Sequence, residues 1–242
     1  MKRILLLLSL SALLTLSALG FPKEYYSIKD TKQMKTYFFN FLYPLIEEEN
    51  NLILKDRAFV ISLKENKSLK KDSKEYLKLK KLAKTYSIKD MFDYNKLLKK
   101  IDIVPPSMAL AQAATESGWG KSRFVKVANN IFGHWTYGKV GIVPLKRNKG
   151  AKHLIRIFPD LQTSIKAYMQ NLNRTRAYSS FRNKRAAQRK SSMNPQGLVL
   201  SQTMINYSAI REKYLKILGS IIRVNKLKNY DQKYYAQVLR NK

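Results

Sequence analysis

Hydrophobic positions along this 242-residue chain recur mostly at helical spacing. Met34, Tyr37, Phe38, Phe41, Leu42, Leu45 and Ile46 fall on one face of a 3.6-residue period. They predict an amphipathic helix over residues 30 to 48 whose aromatic stripe is core. The polar run Glu47-Glu48-Glu49-Asn50-Asn51 predicts its end, with a second helix from Leu52 to Leu63. Tyr76, Leu79, Leu82 and Ala83 form an apolar stripe among lysines and predict a third helix over 73 to 84. Pro105-Pro106 followed by Ser107 reads as the start of an apolar helix, with Ser107 as N-cap and Gly118 as its stop.

Between Ile131 and Phe158 the pattern changes. Glycines at 133, 138, 141 and 150 separate short apolar runs such as Val140-Gly-Ile-Val143, which predicts a small β-lobe. From Asp160 the helical period returns: Ile165, Tyr168, Met169 and Leu172 share a face, residues 181 to 190 form a basic helix, and Leu198–Asn206 and Arg211–Val224 two more. Asp160, after Phe158-Pro159, reads as an N-cap. The fold class is therefore α+β, mainly α, with a small β-lobe and an N-terminal helical extension, and no internal repeat.

The first residues belong to a different category. Met1-Lys2-Arg3, the apolar run Ile4 to Leu19 and the small residues Ala18 and Gly20 have the layout of a secretory signal peptide cut after Gly20. The chain divides into residues 1–20 (signal), 21–100 (helical extension), 101–230 (the main domain) and 231–242 (a C-terminal tail). It contains no cysteine, which excludes a thiol-linked lipid anchor and any need for oxidative folding. Export predicts a periplasmic protein.

The net charge of +31 points to an anionic polymer or surface, a role open to carboxylate-rich peptides of a cell wall or to an anionic membrane surface. Export argues against nucleic acid. A solvated lysine-rich surface explains the charge equally well. The cations Arg182, Lys184, Arg185, Arg189 and Lys190 are read by default as such a solvated helix face.

Against this basic background one carboxylate stands out. Between Ile103 and Arg211 the only acidic residues are Glu116 and Asp160. Glu116 falls in the last turn before Gly118, where the negative end of the helix dipole and apolar neighbours such as Trp119 disfavour ionisation and raise its pKa. A carboxyl group kept neutral near pH 7 can protonate a leaving glycosidic oxygen.

Val104-Pro-Pro-Ser, Ala111-Gln-Ala-Ala-Thr-Glu-Ser-Gly-Trp-Gly-Lys-Ser-Arg-Phe124, Asn129-Asn-Ile-Phe-Gly-His-Trp135, and Tyr207-Ser with Tyr214 resemble the bacterial glucosaminidases of glycoside hydrolase family 73. The resemblance covers residues 100 to 228 most strongly. It implies a lysozyme-like α+β fold, with the lobe as one cleft wall opposite the acid-bearing helix. It also implies cleavage of the β-1,4 bond after N-acetylglucosamine in peptidoglycan, with Glu116 as general acid; a monomer without a cofactor, acting on glycan strands, is the expectation.

The matched positions Ser117, Trp119, Asn130, Phe132, Trp135 and Tyr214 become candidate substrate contacts. Trp135 is the favoured sugar-stacking face; Trp119 either joins it or packs the turn behind Glu116. Asn130 either satisfies a turn or bonds an acetamido group. Tyr214 lies on the cleft wall or in the core.

Some glucosaminidases of this family carry a second acidic residue in the β-lobe, and none exists here. The substrate's own 2-acetamido group then becomes the nucleophile, with Tyr207 as the side chain supporting reaction at C1. Two histidines, His134 and His153, make no metal site by count or ligand type. A muramidase or lytic transglycosylase, or a non-catalytic cationic wall-binding protein, are the competing readings.

Overall fold

The computed structural model describes residues 20–65, 69–145, 147 and 150–240. The expected signal segment, apart from Gly20, lies outside them. In chain order the helices are α1 (Lys23–Ser27), α2 (Thr31–Glu65), α3 (Lys74–Thr85), α4 (Tyr94–Lys100), α5 (Pro106–Ser117) and α6 (Arg123–Ala128). After the lobe come α7 (Leu161–Arg174), a 3-10 turn at Arg176–Tyr178, α8 (Ser179–Lys190), α9 (Gly197–Ser201), α10 (Glu212–Val224) and α11 (Lys228–Arg240). The fold is α+β and mainly α. No helix among the described residues is long and apolar enough to cross a membrane.

The predicted break at residues 47 to 51 does not occur: α2 is one helix of 35 residues and carries Pro44 in its interior. The polar run marks a buried contact rather than a terminus. Asn50 is fully buried, and its side-chain amide donates to Val104 O (2.8 Å) while its carbonyl accepts from Val104 N (3.0 Å). This reciprocal pair ties the middle of α2 to the strand-like approach to α5 and satisfies backbone groups that would otherwise be stranded.

Every residue of α5 from Pro106 to Ala114 is buried, and α2, α9, α10 and α11 all pack against it. Ser107 is not the N-cap. The helix starts with Pro106, whose missing N–H costs nothing at the first position, so Ser107 is already inside the first turn. Its backbone N–H and hydroxyl both donate to Asp231 of α11, at 2.8 and 2.7 Å. The same carboxylate accepts from Gly197 N at the start of α9 (3.2 Å). One remote side chain thus serves the N-termini of two helices. Of the residues read as a tail, 231–240 belong to α11, with Asp231 and Tyr234 buried.

The basic helix at 181–190 forms, but its cations are not simply solvated. Arg185 is fully buried and donates to the carbonyls of Asp102 (3.0 Å) and Ile103 (2.7 Å), and Arg189 makes a two-point contact with the Asp102 carboxylate (3.1 and 2.9 Å). Lys184 and Lys190 do face solvent. The helix expected over 198–206 is shorter, ending at Ser201, and that over 211–224 forms as Glu212–Val224.

The lobe holds two short antiparallel strands, β1 (Trp135–Thr136) and β2 (Leu154–Ile155), with Trp135 opposite Ile155. The run at 140–143 contributes only a single bridge, Ile142 to Ile155.

Candidate active site

At the end of α5, Gly118 takes the left-handed conformation (φ 54°) that closes the helix, and its N–H returns to Ala114 O. The turn is locked from within. Ser117 donates its hydroxyl to Ala113 O (2.6 Å) and accepts from Gly120 N (2.7 Å), and it is fully buried. It braces the turn and is not available to a substrate. Trp119 is likewise turned away: its ring packs edge-on against Phe38 and Phe39 of α2, with Lys35 Nζ 4.9 Å above it. It fixes the turn behind Glu116.

Glu116 is half-buried and opens onto a cleft of about 810 Å³. Phe132, Gly133, Trp135, Tyr178 and Tyr207 line it together with the polar groups Arg156, Gln170, Asn171 and Arg174. Glu116 is its only acidic lining residue. Burial pushes the Glu116 carboxyl above the ordinary carboxylate range, and a hydrogen bond with Tyr214 pulls partly the other way. Asp102 has the opposite fate: ringed by Arg57, Arg185 and Arg189, it stays below the ordinary range despite deeper burial. The neighbouring charges separate an ionised structural carboxylate from a protonatable one.

Behind Glu116 runs a directed chain of hydrogen bonds. Tyr168 donates to Gln112 Oε1 (2.7 Å), and the Gln112 amide donates to the Tyr214 hydroxyl (3.1 Å). With its oxygen already accepting, Tyr214 can turn its proton toward Glu116. Gln112 lies one helical turn before Glu116, on the same face of α5.

Phe132 is buried and stacks on Tyr168 with ring centroids 3.8 Å apart, so it forms part of the cleft floor. At Gly133 (φ 67°) the lobe backbone passes so close that an added Cβ would lie 4.0 Å from Glu116 Oε2. Trp135, 59% exposed, presents its ring beside the cleft and is held by stacking on His153 at 4.0 Å. Asn130 serves the turn: it donates to His134 O and Arg156 O and accepts from His134 N, each at 2.8 Å, with its side chain spent. Tyr207 is half-buried, lines the cleft, approaches Phe132 O at 3.5 Å and stands parallel to Tyr214 at 5.7 Å. Tyr214 itself is buried behind the wall.

The structure therefore gathers Glu116, Phe132, Trp135 and Tyr207 around one cleft, puts Tyr214 directly behind it, and removes Ser117, Trp119 and Asn130 to supporting positions. Asp160 caps α7, accepting from Thr163 N at 2.6 Å. Sequence reasoning missed Tyr178, Arg156, Gln170, Asn171 and Arg174. Of these, only Gln170, Asn171 and Arg174 had a readable signal, lying beyond the buried stripe of α7 as a polar flank. Among the described residues there is no group of three or more His, Cys, Asp or Glu placed to hold a metal.

No solved structure matches the chain. A curated relative, Protein bax of Escherichia coli (strain K12), is 32% identical over 197 residues, which span 79% of this chain and 69% of the relative. Residues 91–238 match the family model described as glucosaminidase, mannosyl-glycoprotein endo-beta-N-acetylglucosaminidase. That match covers α4 through most of α11, with the lobe and the cleft, and the chain belongs to this glucosaminidase family of glycosidases.

Proposed function

We propose that the protein is an exported, periplasmic endo-β-N-acetylglucosaminidase that cuts the β-1,4 bond after N-acetylglucosamine within peptidoglycan strands, in a lysozyme-like arrangement of acid helix and lobe. The observation that carries this reading is a half-buried Glu116 with a raised pKa, alone as a carboxylate in a cleft between a helical wall and an aromatic lobe.

Protonated Glu116 delivers its proton to the glycosidic oxygen as the bond to C1 breaks. No second carboxylate lines the cleft to attack C1 or activate water. The oxygen of the substrate's 2-acetamido group forms the bond to C1 instead, giving a cyclic intermediate. Water then opens that intermediate and returns a proton to the Glu116 carboxylate. Tyr207, at the cleft surface, supports the acetamido group during the attack.

Glu116→Gln keeps the size of the side chain but cannot give up a proton. It is expected to fold normally and to lose at least about a hundredfold in turnover on purified sacculi. Near wild-type digestion by this variant removes the assignment. Mass spectrometry of the fragments fixes the bond: N-acetylglucosamine at new reducing ends supports the proposal. The lone cleft carboxylate also suits a muramidase or lytic transglycosylase, which would leave reducing or 1,6-anhydro muramic acid ends.

A further inference from the structure

Past Arg174 and Thr175 the cleft gives way to a second hollow of about 470 Å³, lined by Ser87, Lys100, Arg174, Thr175, Arg176 and Arg182. Four of its six lining residues are cations. None of the four takes part in an ion pair among the described residues.

Two of the cations are built in. Arg182 is 5% exposed and donates to the carbonyls of Leu172 (2.7 Å) and Thr175 (2.8 Å). Lys100 donates to Tyr86 O (2.7 Å) and Ser87 O (3.2 Å). Carbonyl oxygens orient these groups without neutralising them. Burial first, and then the charges of Arg182 and Arg174, push the Lys100 ammonium below its usual range, so the like charges repel at close quarters. Arg174 and Arg176 are exposed at the rim. Folding has gathered positive charge here at a cost, with no internal anion to offset it.

We propose that this hollow is a subsite for the carboxylates of the peptide stems on the glycan strand. Its junction with the cleft at Arg174 and Thr175 lets a sugar chain lie past Glu116 while a stem enters the neighbouring hollow. The inference rests on the peptidoglycan reading above and assigns part of the substrate to a place on the protein. Arginine at the rim suits it, since a guanidinium can hold a carboxylate through two parallel bonds.

The test compares native sacculi with sacculi whose stem carboxylates have been converted chemically to amides, which removes charge but keeps bulk. Arg176→Glu reverses a rim charge that touches only the second hollow. Lys80→Glu, on the exposed side of α3, makes the same change in net charge elsewhere. Wild type and Lys80→Glu are expected to show a KM roughly threefold to tenfold lower on native than on amidated material, an advantage that shrinks with added salt. Arg176→Glu is expected to lose most of it.

Equal KM values for native and amidated sacculi, or full discrimination retained by Arg176→Glu, overturn the proposal. Sedimentation of Glu116→Gln with both materials, with and without Arg176→Glu, reads the same preference without cleavage. If no material is cut yet sedimentation still discriminates through Arg176, the glycosidase reading fails and the subsite stands.

Discussion

Glu116 and Trp135 line one cleft from walls of opposite construction. The wall of Glu116 is the end of a helix buried from Pro106 to Ala114, with a Gln and two tyrosines hydrogen-bonded in series behind it. The wall of Trp135 is a lobe with two two-residue strands, and Tyr137, Val140, Val143 and Leu145 stand exposed along it. On the proposed reading, proton transfer from Glu116 demands fixed geometry and a controlled dielectric, which packed helices provide. On the same reading, gripping a sugar needs flat apolar area at the surface, which a loosely built lobe supplies. The division predicts that damage to the first wall appears in turnover or stability, and damage to the second in KM.

The sharpest way to break this division is a pair of glycines. At Gly197 an added Cβ would sit 2.0 Å from Ser107 Oγ and 2.9 Å from Met108 N, where α9 meets α5. Gly197→Ala should overpack the helical wall by about 3 kcal/mol or more, lowering Tm by roughly 6–12 °C, with turnover falling too. At Gly141 an added Cβ meets Leu154 Cβ at 2.7 Å and Ile155 O at 2.8 Å, inside the lobe. Gly141→Ala should leave Tm within about 4 °C of wild type and raise KM. Thermal melts with steady-state kinetics check both, and the opposite assignment of effects would dissolve the distinction.

Next in size is the tyrosine at the cleft surface. Tyr207→Phe should cut turnover roughly a hundredfold with little change in Tm, as expected for a polar group acting on a developing charge. Asp160→Asn keeps an oxygen to cap α7 and should remain largely active. An inactive but folded Asp160→Asn beside an unaffected Tyr207→Phe would make Asp160 the second carboxylate instead.

Tyr214→Phe tests the hydrogen-bonded chain behind Glu116. Its hydroxyl favours the charged form of Glu116, so removing it raises the Glu116 pKa still further. Glu116 then keeps its proton to higher pH, and the alkaline limb of the pH–turnover profile moves upward even as turnover falls roughly tenfold. A limb that stays in place or moves down would detach Tyr214 from the acid. The smallest effect belongs to Trp135→Ala, with KM expected to rise about twofold to tenfold at constant turnover.

Much of α5 was legible because its signals are local. Two prolines, an apolar run and Gly118 mark it regardless of what surrounds it, and Glu116 follows from that. The solvent-facing Trp135 was readable from its place among glycines and polar residues. What escaped was every feature made by a contact distant in sequence. Asn50 looked like a helix end because its partner, Val104, lies 54 positions away. Ser107 looked like a cap because the true acceptor, Asp231, lies 124 positions on. Arg185 looked solvated because the carbonyls that hold it belong to another helix connection. Gln112 had the one readable clue, its spacing from Glu116, but Tyr168 and Tyr214 reach it only through the fold.

The Asp231 contact also sets an order of events. The helix that carries Glu116 is complete in the growing chain by residue 117, yet the group that receives its first-turn donors is made more than a hundred residues later. Until α11 arrives, the N-termini of both α5 and α9 lack their shared anchor. A nascent or C-terminally clipped chain can therefore contain every residue of the cleft and still lack this anchor, so the site is expected to settle only once α11 has been made.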